Sequence, residues 1–117
     1  MASKFDGILG MGWPTISVDN LPLIFDLLYK QGQVDGNSFS FYLTKTAGQD
    51  GSALVLGGVN SKYAAGDWKY YDLLSKDYWR ISMSDVVFNN TSFKNSSNVQ
   101  AIIDTGTSVI AGPNKIV

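Results

Sequence analysis

Ala101-Ile102-Ile103-Asp104-Thr105-Gly106-Thr107-Ser108 is the stretch whose reading decides the fold. An apolar run delivers one carboxylate to the mouth of a turn, where hydroxyl residues and a glycine surround it. β-Branched residues on both sides predict strand, turn, strand. Gly106 permits a sharp turn or a close approach by another chain. As three residues alone, Asp104-Thr105-Gly106 is an ordinary loop closure, because Asp and Gly are common turn formers. The longer motif predicts an acid shielded from bulk water and met by donors, with Thr107 donating to the Asp104 carboxylate and Thr105 reaching inward. Such a setting suits acid–base work. A single ionised aspartate, however, cannot both hold a water and protonate a substrate carbonyl. That takes two carboxylates with separated protonation states. Asp6, Asp19, Asp26, Asp35, Asp50, Asp67, Asp72, Asp77 and Asp85 lie in turns or on polar faces, without a comparable setting.

Upstream of the motif the pattern is mostly that of strands. Ser38–Thr44 alternates Phe39, Phe41 and Leu43 with Ser38, Ser40 and Tyr42, and Ser52–Leu56 follows after Gly48-Gln49-Asp50-Gly51. The two runs with a glycine-bearing connection predict a hairpin. Trp68–Leu73 and Tyr78–Phe88 are further strand candidates, Ser75-Lys76-Asp77 turns between them, and Asn89–Asn98 is a loop or hairpin tip. Gln100–Asp104 and Ser108–Ala111 flank the acidic motif. Nearer the N-terminus, Phe5–Trp13 is an apolar run broken by Gly7, Gly10 and Gly12, which marks bends or close backbone approach. One helix is predicted over Leu21–Gln31. Asp19-Asn20-Leu21-Pro22 forms its start, Leu21, Ile24, Phe25, Leu28 and Tyr29 form a packing face, and Gly32 forms the stop. Val59–Gly66 reads as a crossing between two lobes. The fold class is mainly β with one short helix.

Composition narrows the chemistry. Nine basic against ten acidic residues leave a net charge of −1, with neither a basic patch for nucleic acid nor an acidic tail. There is no cysteine and no histidine, so disulfides, Cys-based zinc sites and Ser-His-Asp or Cys-His catalysis are excluded within this chain. Carboxylates must carry any acid–base step, and no metal or other cofactor is expected. No apolar run approaches the ~18 residues of a membrane span. The N-terminus lacks the hydrophobic region of a signal peptide, and Met1-Ala2-Ser3-Lys4 reads as an abrupt start.

The segments taken in order resemble the pepsin-like aspartic proteases along nearly the whole chain. Phe5-Asp6-Gly7-Ile8-Leu9-Gly10 resembles the closing segment of the first catalytic lobe. The helix and Phe39-Ser40-Phe41-Tyr42-Leu43 follow, and Ser52–Asn60 resembles a central strand, with Tyr63 and Gly66 after it. Tyr78-Trp79-Arg80-Ile81 resembles the start of the second lobe, and Ala101–Ser108 its catalytic motif. Asp-Thr-Gly alone is a weak signal, whereas ordered segments are specific.

The resemblance implies a partial bilobal β-barrel: residues 1–62 hold the end of the first lobe and inter-lobe strands, and residues 63–117 the start of the second. It implies that Asp104 is one of two aspartates sharing a water and a proton, a pair that titrates as a unit. Thr107 would bond that carboxylate, Thr105 would brace the two catalytic loops, and Gly106 and Thr107 would meet the substrate backbone. Phe5 and Ile8 would line one side of a polypeptide-binding cleft and Tyr78 and Ile102 the other. For Phe5, Ile8 and Ile102, plain core packing is the competing reading. The first catalytic motif and a tyrosine-bearing flap are missing from this sequence, so the chain by itself is expected to be inactive and to lack the rest of its peptidase domain. Many relatives carry a cysteine pair where this chain has Asn95-Ser96-Ser97-Asn98.

The family's usual route implies a secreted, lysosomal or vacuolar parent protein. Asn89, Asn90 and Asn95 each begin an acceptor triplet for N-linked carbohydrate, of a kind that Asn- and Ser-rich loops also produce without modification. Asn89 and Asn90 would compete for one transfer. Two other readings remain: a non-catalytic binding or scaffold protein that keeps part of the fold, and a homodimer that pairs two Asp104 residues.

Overall fold

The computed structural model describes residues 4–46, 48, 50–93 and 99–112. The chain divides into two compact units, Met1–Met11 with Leu21–Lys69 and Gly12–Asn20 with Tyr70–Val117. Strands outnumber helices, as the sequence predicts. They form three two-stranded antiparallel sheets, and among the described residues no barrel closes.

In the first unit, helix α1 (Ile24–Lys30) touches a hairpin of β1 (Phe39–Tyr42) and β2 (Ala53–Leu56) through Phe25 and Phe39. The helix starts later than its apolar spacing predicts. Leu23 is still extended (φ −74°, ψ 140°) and supplies no side-chain cap, and Pro22 disfavours helical geometry at the residue before it. Asp19 and Asn20 do not cap it either; both have a φ of 54° in a separate turn. The C-terminus follows expectation. Gly32 at φ 68° lets its own N–H bond Tyr29 O and the Gln33 N–H reach back to Leu28 O, a Schellman closure of the last carbonyls.

The register Phe39↔Leu56, Ser40↔Val55, Phe41↔Leu54 and Tyr42↔Ala53 confirms the predicted hairpin. Alternation then decides what each face of β1 meets. Phe39 lies edge-on to Phe25 at 5.3 Å, and Phe25 is the one buried apolar side chain among the described residues. On the other face, Tyr42 stacks on Tyr63 at 4.5 Å. Tyr63 ends a 3₁₀ turn (Ser61–Tyr63) that Asn60 caps by accepting the Lys62 N–H.

In the second unit, β3 (Arg80–Met83) pairs with β6 (Val99–Ile102), and β4 (Val87–Phe88) pairs with β5 (Thr91–Ser92). The predicted strand Tyr78–Phe88 is therefore two strands, because its halves take different partners. Trp68–Leu73 is not a strand: Leu73 alone makes a bridge, to Ile81. Ser108–Ala111 and Phe5–Gly10 are irregular as well. A strand needs a partner ladder as well as a suitable pattern, and among the described residues these segments have none. The turn before β3 is fastened elsewhere. The Trp13 N–H bonds Asp77 O at 3.0 Å, Thr15 donates to Lys76 O, and the Trp13 and Trp79 rings meet at 5.3 Å.

Candidate active site

Strand β6 carries the acidic motif to its position. After Arg80↔Ile102, the last pair of the register, the Ile103 N–H still bonds Trp79 O at 2.9 Å. Residue 103 is thus held at the sheet edge and Asp104 is the first residue beyond it. The start of β3 is itself fixed by Arg80, whose guanidinium takes Asp77 in a fork: Nε to Oδ1 at 2.9 Å and Nη2 to Oδ2 at 2.7 Å. Its Nη1 reaches across to Gln100 Oε1 at 2.8 Å, tying β3 to β6 by side chains as well as backbone. Such planar two-point pairing also fixes orientation. Partial burial raises the Asp77 pKa, but the Tyr78 N–H, Arg80 and Ser75 together outweigh it and leave the carboxyl below its ordinary value.

Beyond the sheet the chain folds back on Asp104. The Gly106 N–H donates to Oδ1 at 2.8 Å, the Thr107 hydroxyl to Oδ2 at 2.5 Å, and the Thr107 N–H to the Asp104 carbonyl at 3.4 Å. This is the side-chain-to-backbone turn that Asp and Thr readily form. Space is tight: a Cβ on Gly106 would lie 3.2 Å from Asp104 Oδ1. The Thr107 hydroxyl, and then the Gly106 N–H, stabilise the charged form and hold the Asp104 pKa below its ordinary value. Asp104 is consequently an oriented, ionised acceptor.

One expectation is overturned. Asp104 is exposed rather than shielded from water, as are Thr105, Gly106 and Thr107. Its donors come from its own turn, and among the described residues no other segment closes over it. Of the other predicted site residues, Tyr78 (51% exposed) and Ile102 (52%) flank the ends of β3 and β6. Phe5 (62%) and Ile8 (88%) lie in the first unit and are packed into no core there. Asn89 and Asn90 form the tip of the β4–β5 hairpin, while Asn95 lies outside the described residues. Sequence reading missed the Asp77–Arg80–Gln100 bracket. The acid three residues ahead of Arg80 was visible, but its link to Gln100 needs the strand register. Among the described residues, no three His, Cys, Asp or Glu side chains gather as metal ligands, and no helix is long and apolar enough to cross a membrane.

Strand β6 thus ends in a donor-held Asp-Thr-Gly-Thr turn. The sequence profile of the eukaryotic aspartyl protease family matches residues 1–117, and the chain belongs to that family. Among its relatives, cathepsin D of Mus musculus is 46% identical over 114 residues, 97% of this chain and 28% of the relative. Cathepsin D of Homo sapiens is 44% identical over the same shares, and that of Clupea harengus is 43% identical over 97% of this chain and 29% of the relative. The chain thus spans less than a third of the length of the curated relatives it matches.

Proposed function

We propose that this chain is part of the peptidase domain of an aspartic endopeptidase, with Asp104 as one of its two catalytic aspartates. The observation that carries the proposal is the Asp104 carboxylate, held ionised at the end of β6 by Gly106 and Thr107. On its own, an exposed carboxylate of lowered pKa is a weak base. Set close to a second carboxylate it gains a partner that resists simultaneous ionisation, so the pair keeps one proton between them. The ionised oxygen then accepts a proton from a water as that water attacks the peptide carbonyl carbon, and the protonated carboxyl donates to the carbonyl oxygen. The resulting tetrahedral diol collapses as the amine leaves with a proton. No metal or covalent intermediate is required.

In this reading residues 1–62 close the first lobe and supply inter-lobe strands, and residues 63–117 open the second. Phe5 and Ile8 line one side of the cleft, Tyr78 and Ile102 the other, so bulky apolar residues on both sides of the scissile bond are preferred. Thr105 braces the catalytic loops, and Gly106 and Thr107 meet the substrate backbone. The whole protein acts in a secreted, lysosomal or vacuolar setting, as the family resemblance implies. The 117-residue chain alone cleaves nothing, because the sequence contains one Asp-Thr-Gly motif only.

The test replaces the matching segment of mouse cathepsin D with this chain and assays a peptide that has apolar residues flanking the scissile bond. The chimaera is expected to cleave it and to be blocked by a transition-state mimic. Asp104→Asn should lower cleavage by at least about a hundredfold, the low end of what a positioned acid–base group contributes. A folded chimaera whose cleavage is unchanged by Asp104→Asn would end the proposal, and one that binds the mimic without cleaving would favour the scaffold reading.

A further inference from the structure

Asn89 and Asn90 are the two loop residues between β4 and β5, and both have positive φ, 47° and 62°. A two-residue loop of this kind has the type I′ geometry that suits the twist of paired strands, and Asn adopts it readily. The loop carries two overlapping acceptor triplets, Asn89-Asn90-Thr91 and Asn90-Thr91-Ser92. The structure tells them apart. In the second triplet, the Ser92 hydroxyl is engaged, donating to Asp85 Oδ2 at 2.6 Å. In the first, Thr91 is exposed and stands directly opposite Phe88 in the register. Phe88 itself is 75% exposed at the foot of the loop, next to Asn89. Directly paired residues lie on the same face of an antiparallel ribbon, so an open aromatic ring and the hydroxyl of the Asn89 triplet share one face.

We infer that Asn89, rather than Asn90, carries an N-linked glycan, and that the Phe88 ring is the platform on which its first N-acetylglucosamine packs. One face of that sugar presents C–H bonds of slightly positive character, which suit the negative face of an aromatic ring. Covering Phe88 in this way removes apolar surface from water. In the transfer, Asn89 Nδ2 forms a bond to C1 of an oligosaccharide carried on a lipid diphosphate. The C1–O bond to the diphosphate breaks with its electron pair, the lipid diphosphate leaves, and the Asn89 nitrogen gives up one proton to the transferase. A glycan there excludes a second one on the adjacent Asn90. The inference rests on the secretory setting given under the proposed function.

The experiment supplies that setting directly, so that its outcome is independent of peptidase activity. The full 117-residue chain is expressed behind a secretion leader in eukaryotic cells, with a control acceptor triplet in a C-terminal tag to report entry into the lumen. Enzymatic release of glycans in heavy-oxygen water marks each former acceptor, and peptide mass spectrometry reads its position. The mark is expected on Asn89 and on the tag, with Asn90 unmarked. A marked tag with Asn89 unmarked, or a mark on Asn90 in its place, overturns the assignment. Hydrogen exchange over residues 86–93 then tests the platform: the glycan should slow exchange in the wild type and have no effect in Phe88→Ala. Equal slowing in both would refute the stacking on Phe88.

Discussion

Gly36 and Gly57 meet at the end of the β1–β2 hairpin, and Gly36→Ala probes how closely. A Cβ on residue 36 would lie 2.6 Å from the Gly57 carbonyl oxygen and 3.4 Å from its carbonyl carbon. The first distance is about 0.8 Å short of ordinary contact, and overpacking of this kind typically costs about 1–3 kcal/mol. The obstacle is backbone, so no side-chain rotation relieves it. Residue 57 is confined on its other side too: its φ is +88°, and a Cβ there would meet Asp35 N at 3.2 Å and the Val34 Cβ at 3.3 Å. Moving the strand end puts at risk the hydrogen bond from the Gly57 N–H to Ser38 O, now 2.8 Å, and losing that bond adds about 0.5–1.5 kcal/mol. A combined loss of about 1.5–4.5 kcal/mol corresponds to amide exchange about 13 to 2,000 times faster where the hairpin end opens locally. The assay is residue-resolved hydrogen exchange at Gly57, whose N–H bonds Ser38 O, with Gly7→Ala as the control, since a Cβ at Gly7 meets nothing within 4 Å. Equal protection in Gly36→Ala and Gly7→Ala would refute the close-approach argument.

Other outcomes follow from the same contacts. Thr107→Val removes the hydroxyl that holds Asp104 Oδ2, so the Asp104 carboxyl should titrate higher, nearer its ordinary value, when followed by carboxyl-carbon NMR; an unchanged midpoint would contradict the turn geometry. In the wild type the folded Asp104 pKa is lowered, so the turn's contribution is fully present above the unfolded value of ~3.9 and is lost as pH falls through the lower folded value. The Gly106 and Thr107 amide shifts should therefore stay constant from neutral pH down to about 5 and move only in acid. Phe25→Ala removes the buried ring that α1 sets against Phe39; it should destabilise the helix by about 2–4 kcal/mol, somewhat under the usual cost for a fully buried Phe, read as faster exchange at Gln31 and Gln33. The isolated chain leaves Ile8, Tyr70 and Ile110 among its most exposed apolar residues, and among the described residues no third strand joins either hairpin, so light scattering should find it associating as concentration rises. A monodisperse monomer at all concentrations would count against that reading.

The sequence by itself determined whatever depends on neighbours along the chain. The alternation of Phe39, Phe41 and Leu43 against Ser40 and Tyr42 gave the hairpin strand, and Gly32 gave the helix stop, because periodicity and positive φ are local properties. The order of the segments led to the family, and the Asp104–Thr107 turn was legible because its donors lie within three residues of the acid. Only the tertiary structure decided the rest. It withheld strands from Trp68–Leu73 and Ser108–Ala111, since a strand exists only where another backbone completes its hydrogen bonds. It split Tyr78–Phe88 between two partners, and it joined Asp77, Arg80 and Gln100 into the bracket beneath the acidic turn. It also left Asp104 open to water: burial is conferred by distant segments, and no local pattern around an aspartate can supply them.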